Sequence, residues 1–128
     1  MDVGGNEAFG ARVLVVDDEP SIRLLCRVNL ELEGYDVLEA GSLGEAREQL
    51  DESVDVVLLD VHLGEETSDV LVSECHARLP RVPVVLVTGS ADVLLDGASS
   101  ADAVLPKPFE IDELLATVHE LAGVRVSR

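Results

Sequence analysis

The chain has 128 residues, enough for one domain that buries roughly two-thirds of the surface its unfolded form exposes. It is 47% hydrophobic but has one Tyr, two Phe and no Trp, so its core is aliphatic. A net charge of −17, from 26 acidic and 9 basic residues, repels phosphate backbones and anionic lipid and argues against direct binding to nucleic acid or a membrane surface.

Short apolar runs alternate with helix-period segments along the chain. Arg12–Val16 reads as a first strand. The segment from Pro20 to Gly34 reads as a helix, with Pro20 suited to a first helical position and Gly34 as its stop. Tyr35–Ala40 is a second strand. Ser42–Glu52 is a helix opened by a capping box, Ser42 with Glu45 three residues on. Val54–Asp60 is a third strand, Glu66–Leu79 a helix closed by Pro80, and Val82–Thr88 a fourth strand. Asp92–Gly97 is a short helix, Ala101–Leu105 a fifth strand and Ile111–Ala122 a last helix. Residues 1–11 read as a flexible tail, 12–122 as one domain and 123–128 as a frayed end.

Strands that are apolar throughout suit a parallel sheet covered on both faces, and the connections are too long for hairpins. The predicted fold class is therefore a doubly wound five-stranded α/β sandwich in a single domain. No apolar run approaches the roughly 20 residues of a membrane span, and the start has no signal-peptide pattern. Cys26 and Cys75 lie in helical patterns without metal-type spacing and read as buried free thiols of a reducing compartment. The expected location is the cytoplasm.

In such sheets function gathers beyond the carboxyl ends of the strands. Strand one ends in Asp17–Asp18–Glu19, strand three in Asp60, strand four in Thr88, and strand five just before Lys107. Each acid alone reads as a helix N-cap. Together they bring carboxylates, a hydroxyl and an amine to one edge. Like charges 4 Å apart repel by about 1 kcal/mol in water and about 4 kcal/mol at an effective dielectric of 20, so the acids need a cation. Oxygen ligands, few and left partly open, suit Mg2+. A carboxylate beside Mg2+ can attack phosphorus and form an aspartyl phosphate, whose oxygens need a hydroxyl and an ammonium as partners. Lys107 is the one lysine beside eight arginines and stands between Pro106 and Pro108. A compact ammonium suits a phosphate oxygen where an arginine fork is larger and rigid.

The stretches "VLVVDDEPSIRLLC", "DVVLLDVHL", "VPVVLVTG" and "AVLPKPF" resemble a receiver domain of two-component response regulators over residues 12 to 122. The resemblance implies a flavodoxin-like sheet of order 2-1-3-4-5. It implies that Asp60 accepts a phosphoryl group from a sensor histidine kinase or phosphotransfer protein. It further implies that Asp18, Asp60 and the backbone carbonyl of His62 hold Mg2+, with Asp17 helping through water, that Thr88 and Lys107 hold the phosphoryl group, and that Lys107–Pro108 is cis. The chain is then a phosphoacceptor, not a turnover enzyme, that switches contacts with a downstream protein target.

The pattern departs from the family in places. Leu63–Gly64 and Ser68 stand where Met-Pro and Gly are common, and Glu65 and Glu66 add charge nearby. His62 and Ser90 occupy positions that tune phosphoryl lifetime, and His62 can change charge near neutral pH. Val104 stands where an aromatic ring usually moves with the switch hydroxyl, and a β-branched side chain cannot act as that toggle. The segment from Thr88 to Lys107 is about one helical turn short. Leu94, Leu95, Val104 and Ile111 are then either an altered contact surface, homodimeric or otherwise, or the packing under a short helix. Other readings are a relay or phosphate-sink receiver, a receiver that signals without phosphorylation, an aspartyl-phosphate phosphatase and a nucleotide or flavin binder. His62 counts against the phosphatase, which often has an acid there. "VDDEP" in place of a glycine-rich turn counts against the nucleotide site.

Overall fold

The computed structural model describes residues 10–63, 66–67, 69–89 and 101–126. In chain order the elements are β1 (Arg12–Val16), α1 (Pro20–Leu32), β2 (Asp36–Ala40), α2 (Leu43–Gln49), β3 (Val56–Asp60), β4 (His62–Leu63), β5 (Glu66–Thr67), α3 (Asp69–Ala77), β6 (Val84–Thr88), β7 (Ala103–Pro106) and α4 (Ile111–Val126). Five strands form one parallel sheet of order β2-β1-β3-β6-β7. Counting only its own strands, the order is the expected 2-1-3-4-5.

Alternation along each strand divides the core in two. Val13, Val15, Val56, Leu58, Val85 and Val87 face Cys26 and Leu30 of α1 and Leu114 and Val118 of α4. Leu14, Val16, Val57, Leu59, Val84 and Leu86 face Leu43 and Ala46 of α2 and Leu71, Val72 and Cys75 of α3. Continuous apolar strands are thus the signature of a sheet buried on both sides. Cys26 and Cys75 are free and buried, and burial, above all, pushes each thiol up to about 11.

Several boundaries differ from expectation for local reasons. Glu66–Thr67 is not the start of a helix. It pairs antiparallel with His62–Leu63, and α3 begins at Asp69. The buried residues of α3 are Leu71, Val72 and Cys75, and residues 66–68 supply no apolar side chain to extend that face. The capping box is half formed: Ser42 Oγ accepts from the Glu45 amide at 3.1 Å, but the Glu45 carboxylate accepts from Gly41 N–H instead of Ser42 N–H. At the carboxyl end the helix runs on to Val126, through Gly123, which interrupts a helix at a cost of only about 1 kcal/mol. Gly10 and Ala11, expected in a loose tail, are tied to the domain: Gly10, though exposed, donates its N–H to Gly34 O at 3.0 Å, and Ala11 is buried. The expected helix Asp92–Gly97, with Leu94, Leu95 and Ser90, lies outside the described residues. No described helix is long and apolar enough to cross a membrane.

The edge strand that leads to Lys107 is tied down at its start. The Asp102 carboxylate accepts from Val84 N–H at 2.8 Å, pairs with Arg81 Nη2 at 2.8 Å and meets His76 Nε2 at 2.8 Å. Burial pushes the Asp102 pKa up, but these partners outweigh it and hold it below the usual carboxylate value. Because the folded pKa is depressed, this stabilisation is present above the unfolded value of about 3.9 and fades as pH falls through the folded one. Asp102→Asn is expected to lower stability by about 1–2 kcal/mol at neutral pH. The gap should close in acid, which denaturant titration at several pH values checks.

Candidate functional site

The expected residues meet beyond the carboxyl edge of the sheet. Asp17 follows β1, and its backbone continues the strand pairing, with N–H donating to Ala40 O at 3.0 Å. Asp60 is the last residue of β3 and Thr88 the last of β6; all three of these polar residues are buried. Asp18 is exposed and takes no hydrogen bond or ion pair on its carboxylate among the described residues. One carboxylate oxygen each from Asp17, Asp18 and Asp60 lies within 4.8 Å of the others. Such a compact set of hard oxygens fits a small divalent cation that keeps several waters.

Lys107 enters from β7. Its N–H donates to Thr88 O at 2.7 Å, which sets the register of the turn after the strand, and the Lys107–Pro108 bond is cis. Its Nζ lies 3.2 Å from Asp17 Oδ2, 3.8 Å from Asp60 Oδ1 and 3.8 Å from Glu19 Oε1. Burial alone would lower the ammonium pKa. The charges of Asp17, Asp60 and Glu19 win, and the pKa is raised above its ordinary 10.5. Lys107 is therefore a fixed cation at neutral pH. It is held more closely by Asp17 than by Asp60. Asp17 Oδ1, in turn, accepts from Glu19 N–H at 2.9 Å. Three carboxylates around one ammonium still leave a surplus of negative charge.

Val104, in the middle of β7, is partly buried against the α2–α3 side of the core. It contributes packing there but no ring. The expectation of pH-sensitive lifetime at His62 rests on a side chain outside the description; the backbone places His62 at the start of β4, two residues beyond Asp60. Two participants were given no role by the sequence. Glu19 joins the Lys107 cluster. Arg23 Nη1 donates to the Asp17 carbonyl at 2.7 Å. The first was signalled by its place beside the two acids, but nothing in the sequence pattern points to the second.

Comparison with known proteins agrees with this geometry. The family model described as the response regulator receiver domain matches residues 13–119. The CpxR homolog transcriptional regulatory protein of Haemophilus influenzae is 36% identical over 111 residues, covering 84% of this chain and 48% of that protein. A CheY-like receiver domain from Methanospirillum hungatei superposes with a TM-score of 0.81 at 27% identity, over 92% of this chain and 98% of its own. The response regulator TrrA of Thermotoga maritima, solved with Mg(2+)-BeF, superposes with a TM-score of 0.77 at 32% identity, over 86% of this chain and 97% of its own. The chain spans about half the length of the CpxR homolog it matches. With the sheet order, the strand-end residues and the family match in agreement, the chain belongs to the response regulator receiver domain family of two-component systems.

Proposed function

We propose that Asp60 accepts a phosphoryl group from the phosphohistidine of a sensor kinase or phosphotransfer protein, with Mg2+ bound by Asp17, Asp18, Asp60 and the His62 carbonyl. The observation that carries this reading is a buried strand-end carboxylate with two further carboxylates within 4.8 Å and the Lys107 ammonium at 3.8 Å. The metal ion supplies charge neutralisation at the transferring oxygens. An Asp60 oxygen attacks phosphorus, the P–N bond to the donor imidazole breaks, and the imidazole leaves with its electron pair and takes up a proton. Lys107 shifts from Asp17 toward the new phosphoryl oxygens, and the Thr88 hydroxyl donates to another. Asp17, freed from Lys107, remains beside the cation.

The consequence of phosphorylation is an altered contact with a downstream protein, in the cytoplasm where a kinase can reach the site. Val104 is too small and stiff to report the switch as a ring does, so the readout passes through backbone and hydroxyl movement at Thr88. The TrrA relative, solved with Mg(2+)-BeF, supports the same cation and the same kind of acceptor here. The test is incubation with a small acyl phosphate, with and without Mg2+, followed by intact mass. Uptake of one phosphoryl group only with Mg2+ supports the reading; no uptake under either condition contradicts it.

The acid cluster also predicts a stability effect. Asp18 has no partner on its carboxylate among the described residues and adds to the repulsion, so Asp18→Asn should raise stability by about 1 kcal/mol without Mg2+. Saturating Mg2+, at ten times the Kd, should add about 1.4 kcal/mol to the unsubstituted protein and little to the variant. Thermal melts with and without Mg2+ check both signs.

A further inference from the structure

We propose that Arg23 is a positioning residue for the cation site: it holds the backbone that aims Asp18. This rests on the reading of Asp17, Asp18 and Asp60 as the Mg2+ ligands. Asp18 is the one member of that set with no protein partner on its carboxylate among the described residues. Its direction therefore follows from the peptide plane before it. That plane is pinned at its oxygen, where Arg23 Nη1 donates to Asp17 O at 2.7 Å. The preceding plane is pinned at Asp17 N–H by Ala40 O at 3.0 Å. The loop is thus anchored on both sides of Asp17, once by the sheet and once by a side chain.

The guanidinium is itself held. Arg23 Nε donates to Glu39 Oε1 at 3.1 Å, and Arg27 Nη1 takes Glu39 Oε2 at 2.7 Å. The Arg27 bond leads the influences that lower the Glu39 pKa, so Glu39 stays ionised. Glu39 stands opposite Val15 in the β1–β2 pairing, and Gln49 Nε2 donates to its carbonyl at 2.8 Å. Arg23 is mostly buried, at 20% side-chain exposure, which removes the freedom that makes surface ion pairs weak. Gly41 leaves it room: a Cβ there would come within 3.2 Å of Arg23 Nη1. The planar fork bridges a carbonyl and a carboxylate at once, which a lysine could not do.

Charge and position make opposite predictions. Removing a cation near an acidic site strengthens Mg2+ binding by Coulomb attraction alone. Removing the anchor of a ligand weakens it, by about tenfold for supports of this kind. The test is calorimetric Mg2+ titration of the full chain, with thermal melts to establish folding. Arg23→Met should raise the Kd about tenfold. Arg27→Met removes the same charge and a partner of Glu39 but no contact to Asp17, and its Kd should stay the same or fall slightly. Arg23→Gln, too short to span both partners, should weaken binding as well and carries the test if Arg23→Met does not fold. A folded Arg23 variant with an unchanged or lower Kd overturns the positioning role, as does an equal rise in Arg27→Met. An unsubstituted chain that does not bind Mg2+ overturns the cation site itself, and the positioning role with it.

Discussion

Asp60→Asn is expected to abolish phosphoryl uptake while leaving the fold intact. The amide nitrogen is no nucleophile toward phosphorus, and the amide oxygen carries no full charge, so the attacking group is lost entirely. Asp60 is buried at the end of β3. Its substitution by an isosteric amide disturbs no apolar packing, and it removes one charge from a set of three carboxylates. The variant should therefore melt no lower than the unsubstituted protein in Mg2+-free buffer. Intact mass after exposure to an acyl phosphate checks the first claim and circular dichroism the second. Uptake by the variant at the normal rate would place the acceptor elsewhere.

Lys107→Ala is expected to have the second largest effect, on both rate and stability. An ammonium preorganised at the transferring oxygens contributes about a hundredfold to rate. The variant should therefore take up phosphoryl groups about a hundredfold more slowly at equal Mg2+. The Asp17 side chain is 4% exposed and pairs with Nζ at 3.2 Å, so the deletion strands a buried carboxylate. Lys107 itself is 21% exposed, which places the loss between that of a surface pair and a buried one, about 1–2 kcal/mol. The pH dependence follows from the raised ammonium pKa. The stabilisation is complete below the ordinary value of 10.5 and disappears as pH rises through the elevated folded value. The stability gap between the two proteins should be flat through neutral pH and close only in strong alkali. Denaturant titration near pH 7 and above pH 10.5 separates this from a packing defect, which would not close.

The ends of β1, β3 and β6 were legible in the sequence because each of these strands carries an apolar run that stops at a polar residue. Val16 gives way to Asp17, Leu59 to Asp60 and Val87 to Thr88, so the residues at the carboxyl edge could be named from the runs alone. The two-faced core was legible for the same reason, since consecutive apolar residues in the central strands β1, β3 and β6 serve the two helix layers in turn. The β4–β5 pair was not. Residues 62–67 show no alternation, and two-residue strands are too short to carry a period. The role of Arg23 was hidden differently: its partner is a backbone carbonyl, and every residue has one. Lys107 could be singled out by its rarity and its prolines. Its closer pairing with Asp17 than with Asp60 is a matter of a few tenths of an ångström and needs coordinates.

The most direct measurement is to locate the phosphoryl group chemically. An aspartyl phosphate is an acyl phosphate, and borohydride reduces it to homoserine. The protein, loaded with an acyl phosphate and Mg2+ and then reduced and digested, is predicted to carry homoserine at position 60 alone, and none when EDTA precedes the donor. Homoserine at position 17 or 18, or at no position in a protein that has gained a phosphoryl group, would contradict Asp60 as the acceptor.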